Sequence, residues 1–161
     1  MPVTLTVNNI PISYPTPGDG PGWGASATEW ANQVTIALQN LQNDTDIPQT
    51  TFIVGNNVSS FTNIVGLAFN TGLVRSAIIT YSIYRTSISN PSGNAESGEM
   101  MIVYDNLAAP GSKWSMIQGP KVGDAGLIFT ITDAGQVQYQ SSNLGSGHSG
   151  NMHFSAKTLN Q

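Results

Sequence analysis

The 161-residue chain contains no cysteine and few charged residues. The absence of cysteine excludes disulfides, thiolate metal sites and a cysteine nucleophile. Charged residues make up 9% of the chain, against about 25% in a typical soluble domain, whereas Asn, Gln, Ser and Thr together make up about a third. The surface is therefore expected to be polar but largely uncharged. This composition is more typical of a coat, fibre or sugar-binding protein than of a metabolic enzyme.

The sequence also lacks a basic patch, a signal-peptide pattern and a long apolar run. Its five cations are scattered along the chain and its net charge is −4, so no basic stripe is present that could neutralise a nucleic-acid backbone. Residues Met1–Ile12 have no cationic start followed by an apolar run, and nowhere do 18 apolar residues occur together. We therefore expect neither nucleic acid nor a membrane as a partner.

The N-terminal residues have the pattern of a small β-hairpin. Apolar and polar residues alternate through Val3–Tyr14, and Asn8-Asn9 in the middle suits a two-residue turn because Asn tolerates a positive φ. Pro11 cannot donate a hydrogen bond to a neighbouring strand, which predicts that the second strand is an edge. Because a lone hairpin is marginally stable in water, it needs another surface to pack on.

A segment rich in Pro and Gly, residues 15–24, leads from this hairpin into a predicted helix. Ser26 and Glu29 fit a capping box, which marks the helix start. The apolar residues that follow have heptad spacing over two heptads, so we expect this face to pack on another surface, copies of the same helix being one candidate. Asn43–Gln49 is interpreted as the linker that ends the helical region. The apolar heptad positions are Ala27, Trp30, Val34, Ala37 and Leu41.

From residue 51 to the end, the apolar period changes to two. The clearest hairpin is residues 127–140, where Asp133-Ala134-Gly135 supplies a turn with Gly at a position of expected positive φ. About eight short strands separated by Asn, Gly, Pro and Ser predict an antiparallel β-sandwich of jelly-roll type. The other predicted strands are Phe52–Val54, Ile64–Phe69, Ala77–Ile83, Met101–Val103, Lys113–Ile117 and Met152–Ala156.

The glycine-rich stretch "GDGPGWGASATEW" is interpreted as a structural elbow and not as a nucleotide site. Gly20, Gly22 and Ala25 formally match the dinucleotide fingerprint, but the preceding strand is half polar, Pro21 removes an amide, and no acidic residue ends a second strand. No lysine follows as in a P-loop. We therefore expect no cofactor. Trp23 instead either anchors the elbow or caps the local core.

No residue pattern indicates catalysis or metal binding. His148 and His153 lack an HxH or HExxH partner pattern, and no GxSxG elbow is present. Carboxylate pairs such as Glu96 with Glu99 could in principle hydrolyse a glycosidic bond, as could Asp124 with Asp133, but chance pairs are expected among nine acids. We therefore predict that the protein is not an enzyme and holds no metal.

Aromatic residues on the predicted strands have two interpretations. They either pack across neighbouring strands, which is the default, or form a platform on which a sugar stacks. These residues are Tyr81, Tyr84, Tyr104, Trp114 and Tyr139.

Two parts of the sequence resemble bacteriophage virion proteins. "TLTVNNIPISYPTPGDGPGWGASATEWANQVTIALQNL" resembles an N-terminal module with a hairpin, a Tyr-Pro-x-Pro-Gly-Asp-x-Pro-Gly-Trp-Gly elbow and a helix. "ITYSIYRTS", "ESGEMMIVYD" and "VGDAGLIFTITDAGQVQYQSSNL" resemble the β-rich head domain of phage fibre and decoration proteins. The resemblance implies a virion structural protein, assembled in the host cytoplasm and usually homotrimeric.

Together these features predict a mainly β protein with two parts. Residues 1–48 are expected to form an anchoring arm, elbow and amphipathic helix, and residues 51–161 a trimeric, jelly-roll-like knob. Because Asn43–Gln49 leaves no room for a fibre shaft, we expect a capsid decoration or head-fibre protein bound to the major capsid protein or another virion protein. The expected anchoring and trimer contacts are Tyr14, Trp23, Trp30, Val34, Ala37 and Leu41.

Two other functions remain open from the sequence. One is a short tail fibre or adhesin whose loops Asn90–Ser97 and Gly145–Gly150 bind a host-surface glycan. The other is a glycan-degrading enzyme that uses one of the carboxylate pairs.

Overall fold

The computed structural model describes the backbone of residues 3–7 and 10–14, and residues 27–32, 34–35 and 45–160. The chain divides into two compact units, Met1–Asp44 and Thr45–Gln161. In the first unit, strand β1 (Val3–Val7) pairs antiparallel with β2 (Ile10–Tyr14), with Val3 opposite Tyr14 and Val7 opposite Ile10. Residues 27–32 and 34–35 form the helix α1. The predicted cap Ser26 and the Asn8-Asn9 turn lie outside the described residues.

The second unit consists of eight antiparallel strands in two sheets, so the prediction of a mainly β, antiparallel fold is confirmed. The five-stranded sheet has the order β3-β10-β5-β6-β7, and the three-stranded sheet has the order β4-β9-β8. The strands are β3 (Ile47–Ile53), β4 (Thr62–Ala68), β5 (Val74–Thr86), β6 (Asn94–Tyr104), β7 (Trp114–Gly123), β8 (Leu127–Ile131), β9 (Gln136–Ser141) and β10 (Ser149–Asn160).

The two sheets pack face to face around one apolar core. Strand β5 shows why, since its residues alternate between buried and exposed, as expected for a strand with one face on a core. Phe52 and Tyr139 pack edge to face across the sheets with centroids 5.3 Å apart, and Tyr81 packs against Phe129 at 5.4 Å. The result is a two-layer β-sandwich.

The strand order resembles a jelly roll in part. In the second unit, the first strand, β3, pairs with the last, β10. The second strand, β4, pairs with the second-last, β9. Strands β5, β6 and β7, however, form consecutive hairpins within one sheet. The sandwich therefore combines nested outer pairs with a central meander.

Strand β3 begins at Ile47, inside the segment interpreted from the sequence as a linker. Pro48 and the polar residues around it suggested a linker, but β3 is an edge strand, where a proline costs no ladder hydrogen bond. Asp46 holds the start of this strand, because it accepts a hydrogen bond from the Thr158 amide at 2.8 Å and pairs with Lys157 at 2.7 Å.

The predicted hairpin around Gly135 is confirmed. Strands β8 and β9 pair in register from Leu127–Ser141 to Ile131–Val137, and Gly135 between them has φ +83°. A Cβ at this position would overlap the carbonyl oxygen of Phe69. The turn therefore requires glycine for both its backbone conformation and its close approach to the neighbouring loop.

We predict that Gly135→Ala destabilises the protein more than Gly111→Ala does. Both glycines have a positive φ, but a Cβ at Gly111 meets nothing within 4 Å. The conformational penalty alone is about 1–2 kcal/mol, and Gly135→Ala adds the clash with Phe69. Urea unfolding of the two variants measures the difference. Equal losses in the free energy of unfolding would contradict this account of the turn.

Candidate functional site

The residues predicted to contact other subunits lie mostly in the N-terminal unit. Trp30 and Val34 are half-buried on α1, while the described helix residues between and beside them are exposed. Tyr14 ends β2, and nothing is described of its side chain. Trp23, Ala37 and Leu41 lie outside the described residues. Their contact roles stay predictions.

The aromatic residues on the strands pack inside the sandwich. Tyr81, Tyr104, Trp114 and Tyr139 are buried, and only Tyr84 of the five is exposed, with its hydroxyl donating to the carbonyl of Ser92 at 3.2 Å. Tyr104 and Trp114 have ring centroids 5.0 Å apart. These side chains therefore form part of the core, which favours the packing interpretation over a sugar-stacking platform.

The two glutamates considered as a catalytic pair point to opposite faces of the five-stranded sheet. Glu96 is 2% exposed and faces the core, whereas Glu99 is exposed on the other side of β6. A hydrolytic pair must flank one bond. This arrangement does not provide that geometry.

The two aspartates considered as a pair lie beyond opposite ends of β8 and hold loops. Asp124 accepts a hydrogen bond from the Gly126 amide at 2.8 Å. Asp133 accepts from the amides of Gly111 and Lys113, and these bonds lower the pKa of Asp133. Both carboxylates are thus used in turn structure.

The two histidines are apart and have different partners. His153 contacts the Thr51 hydroxyl through Nδ1 at 2.9 Å, and His148 accepts from Nε of Arg85 through Nε2 at 3.2 Å. Within the described ranges, no three His, Asp or Glu side chains lie close enough to hold a metal ion.

Glu96 is the centre of a buried hydrogen-bond group. Its Oε1 accepts from the Tyr81 hydroxyl at 2.8 Å, and its Oε2 accepts from the Ala125 amide at 2.9 Å. Lys121 Nζ lies 3.3 Å from the same Oε2. Burial and the bond to the carboxylate raise the pKa of the Tyr81 hydroxyl. The carboxylate therefore ties β5 and β6 to the loop after β7 through its hydrogen bonds.

Arg85 is fully buried and donates hydrogen bonds to neutral acceptors, one of which is the Ala125 carbonyl of the same loop. Its Nη1 donates to the Ala125 carbonyl at 2.6 Å, and its Nη2 donates to the Ser142 carbonyl at 2.7 Å. Nη1 also reaches the Ser142 hydroxyl at 3.2 Å. Burial lowers the pKa of the guanidinium. Both buried charges therefore converge on Ala125 and fix residues 124–126, the loop between β7 and β8.

A cleft runs along the two edge strands that this loop connects. β7 is the edge of the larger sheet and β8 the edge of the smaller one. Between them lie two hollows of about 600 and 330 Å³ that share Gln118, and we call them together the edge cleft. Hollows of this size are typical of small-molecule sites. The cleft is lined mainly by Trp114, Met116, Gln118, Lys121, Asp124, Ile128, Phe129, Gln140 and Ser142.

We call the side of the five-stranded sheet that faces away from the core the outer face. It carries apolar residues at both ends and polar residues between them. One row across four strands consists of Lys157, Ile78, Met101 and Ile117, and Leu159 and Val103 lie in the adjacent row. At the other end, Ile53, Tyr84 and Val122 are exposed. The middle of the face carries residues such as Thr80 and Ser82.

We predict that Arg85→Leu destabilises the fold strongly while Arg75→Leu does not. Both arginines lie on β5, but Arg75 is exposed. Removal of the Arg85 guanidinium leaves the buried Ala125 carbonyl and the part-buried Ser142 carbonyl without their donors. The expected loss is about 3 kcal/mol or more for Arg85→Leu and within about 0.5 kcal/mol for Arg75→Leu. Urea unfolding measures both, and similar losses would contradict the role assigned to the buried group.

We also predict that stability falls between pH 7 and pH 5 because of His148. Burial and the charge of Arg85 lower the pKa of His148 from the ordinary 6.5. As the pH falls below about 6.5, the unfolded chain binds the proton first, so the native state is penalised. In His148→Gln, which keeps an acceptor for Arg85, this slope should flatten. An unchanged slope of unfolding free energy against pH would be evidence against this role.

No protein-family model matches the chain, and no curated protein matches it. Among solved structures, the chain is similar to the tailspike protein of Acinetobacter phage vB_ApiP_P1, with 9% identity, a TM-score of 0.40, and coverage of 70% of this chain and 22% of that one. It is also similar to the tailspike protein of Acinetobacter baumannii phage AM24, with 13% identity, a TM-score of 0.34, and coverage of 71% and 26%. The chain thus spans about a quarter of the length of either tailspike. At these TM-scores, neither likeness carries a functional argument.

Among the described residues, no helix is long and apolar enough to cross a membrane.

Proposed function

We propose that this chain is a non-enzymatic structural protein of a bacteriophage virion, and specifically a homotrimeric capsid decoration protein. In this proposal, residues 1–48 attach it to the major capsid protein or another virion protein, and the β-sandwich forms a knob on the particle surface. The resemblance of the N-terminal segment to virion modules suggests the setting. The observation that carries the proposal is the apolar outer face of the knob.

The outer face has the character of a protein interface. Its row Ile78, Met101 and Ile117 is continuous across three strands, and Leu159 extends it. The cation at the end of this row, Lys157, is paired with Asp46 at 2.7 Å. Contiguous exposed apolar residues mark interaction surfaces, and interface cores are depleted of charge. We therefore assign this face to contacts between copies of the chain.

We propose that the trimer is a ring in which the two ends of the outer face act as two different contact surfaces. Apolar residues occur at both ends of the outer face, with a polar region between them. A ring uses two different surfaces on each protomer, whereas a two-fold dimer uses one surface twice. Three copies would also share attachment to the capsid, so that modest contacts per arm give firm binding.

The use of the carboxylates supports a non-enzymatic role. Glu96 is buried beneath the sheet, and Asp124 and Asp133 accept backbone hydrogen bonds in turns. Each of these three carboxylates therefore has a structural role.

We predict that Ile117→Glu weakens the trimer by at least about tenfold, because it would place a charge in a desolvated contact. Ile128→Glu is the matched control, since Ile128 on β8 is 60% exposed and Ile117 is 61% exposed. Sedimentation velocity of the full chain measures assembly, and circular dichroism checks that both variants are folded. A wild-type monomer at micromolar concentration would contradict the trimer. If Ile117→Glu leaves the trimer unaffected, the outer face is not its interface.

A further inference from the structure

The edge cleft lies on a different side of the knob from the outer face and is lined by neutral hydrogen-bonding groups. The amide of Gln118 is shared by both hollows, and the Ser142 hydroxyl lies at the larger one. Gln140 donates through Nε2 to the Ser59 carbonyl at 2.7 Å, which leaves its own carbonyl oxygen to accept another bond. Amides and hydroxyls of this kind are suited to a ligand rich in hydroxyl groups.

Apolar side chains form other parts of the same walls. Met116 and Phe129 line the smaller hollow and Ile128 lines the larger one. Ligand sites commonly combine apolar walls with a few polar groups that fix orientation. A sugar ring presents both an apolar face and a rim of hydroxyls, so it matches this mixture.

The cleft is close to neutral overall. Its charged side chains are Lys121 and Asp124. The lysine lies 3.3 Å from buried Glu96, and the aspartate caps the Gly126 amide. A polyanion such as a nucleic acid would need a surplus of cations. The charge pattern therefore favours a neutral ligand.

The edge of β7 is poorly suited to pairing with an added peptide strand. Pro120 lies within β7 and removes a donor, and the pairing with β6 shifts register between Gly98 and Met100. Prolines and bulges at edge strands are features that prevent strand addition. Recognition in this cleft is thus expected to use side chains.

Trp114 provides an independent sign of a missing partner. Its side chain lines the smaller hollow, it is 6% exposed, and its indole Nε1–H is a buried donor without an acceptor. Among the side chains of the described residues, this is the buried polar atom that lacks a hydrogen bond. Such donors are costly to leave unpaired. A ligand hydroxyl oxygen within reach of this donor would satisfy it.

We propose that the edge cleft binds a neutral oligosaccharide, with Gln118 as the central contact. The buried bonds of Arg85 and Glu96 to Ala125 hold the loop at one end of the cleft, so the site is largely formed before the ligand arrives. This role is independent of whether the knob forms a trimer on a capsid.

The test is a glycan array of neutral and acidic bacterial oligosaccharides probed with the full chain, followed by calorimetry with the neutral oligosaccharide that binds best. Gln118→Ala should weaken binding at least about tenfold, as expected when a central polar contact is lost. Gln49→Ala, an exposed glutamine on β3 outside the cleft, should leave it unchanged. No binding to the array, or equal binding by both variants, would overturn the proposal. Binding restricted to acidic sugars would also overturn the proposal.

A second measurement reports on the site directly. In the Trp23→Phe/Trp30→Phe variant, Trp114 is the remaining tryptophan, so a neutral sugar that fills the cleft should shift its fluorescence. An unchanged emission at saturating sugar would count against the assigned cleft. Sedimentation of Gln118→Ala should match the wild type, which separates loss of sugar binding from loss of assembly.

Discussion

The hydrogen bonds that Arg85 and Glu96 make to Ala125 are the constraint on which the open edge of the sandwich depends. The loop at residues 124–126 carries the chain from the five-stranded sheet to the three-stranded sheet, so its position sets how the two edge strands face each other. Burying two charges is expensive, and it is tolerated here because each charge has several well-placed hydrogen bonds. The same bonds that stabilise the fold therefore also shape the edge cleft.

The knob presents two surfaces of different chemistry. The outer face of the larger sheet exposes apolar rows and little unpaired charge, which suits contact with another protein surface. The edge cleft is polar, neutral and concave, which suits a small hydroxylated ligand. Strand β7 contributes to both surfaces, but Ile117 lies on the outer face and Gln118 lines the cleft, so assembly and ligand binding need not compete for the same residues.

The sequence predicted those parts of the fold that depend on local alternation. Strand β5 and the β8–β9 hairpin follow directly from period-two patterns and from Gly135. Only the last part of β3 was predicted, as Phe52–Val54, because Pro48 suggested a linker. A proline is acceptable at an edge, and only the sheet order shows that β3 is one. Arg85 continues the series of inward-facing residues Tyr81 and Ile83 on β5, so the period-two pattern could have predicted that Arg85 is buried. The cleft could not be predicted, because it arises where strands from two separately paired sheets meet.

The central claim is that the chain is a structural component of the virion surface. Immunogold electron microscopy of intact phage particles that carry the chain, with antibody raised against the β-sandwich, tests it most directly. The account predicts gold distributed over the capsid surface. Gold confined to the tail would contradict the decoration role, and particles without label, despite detection of the protein in infected cells, would contradict a virion function altogether.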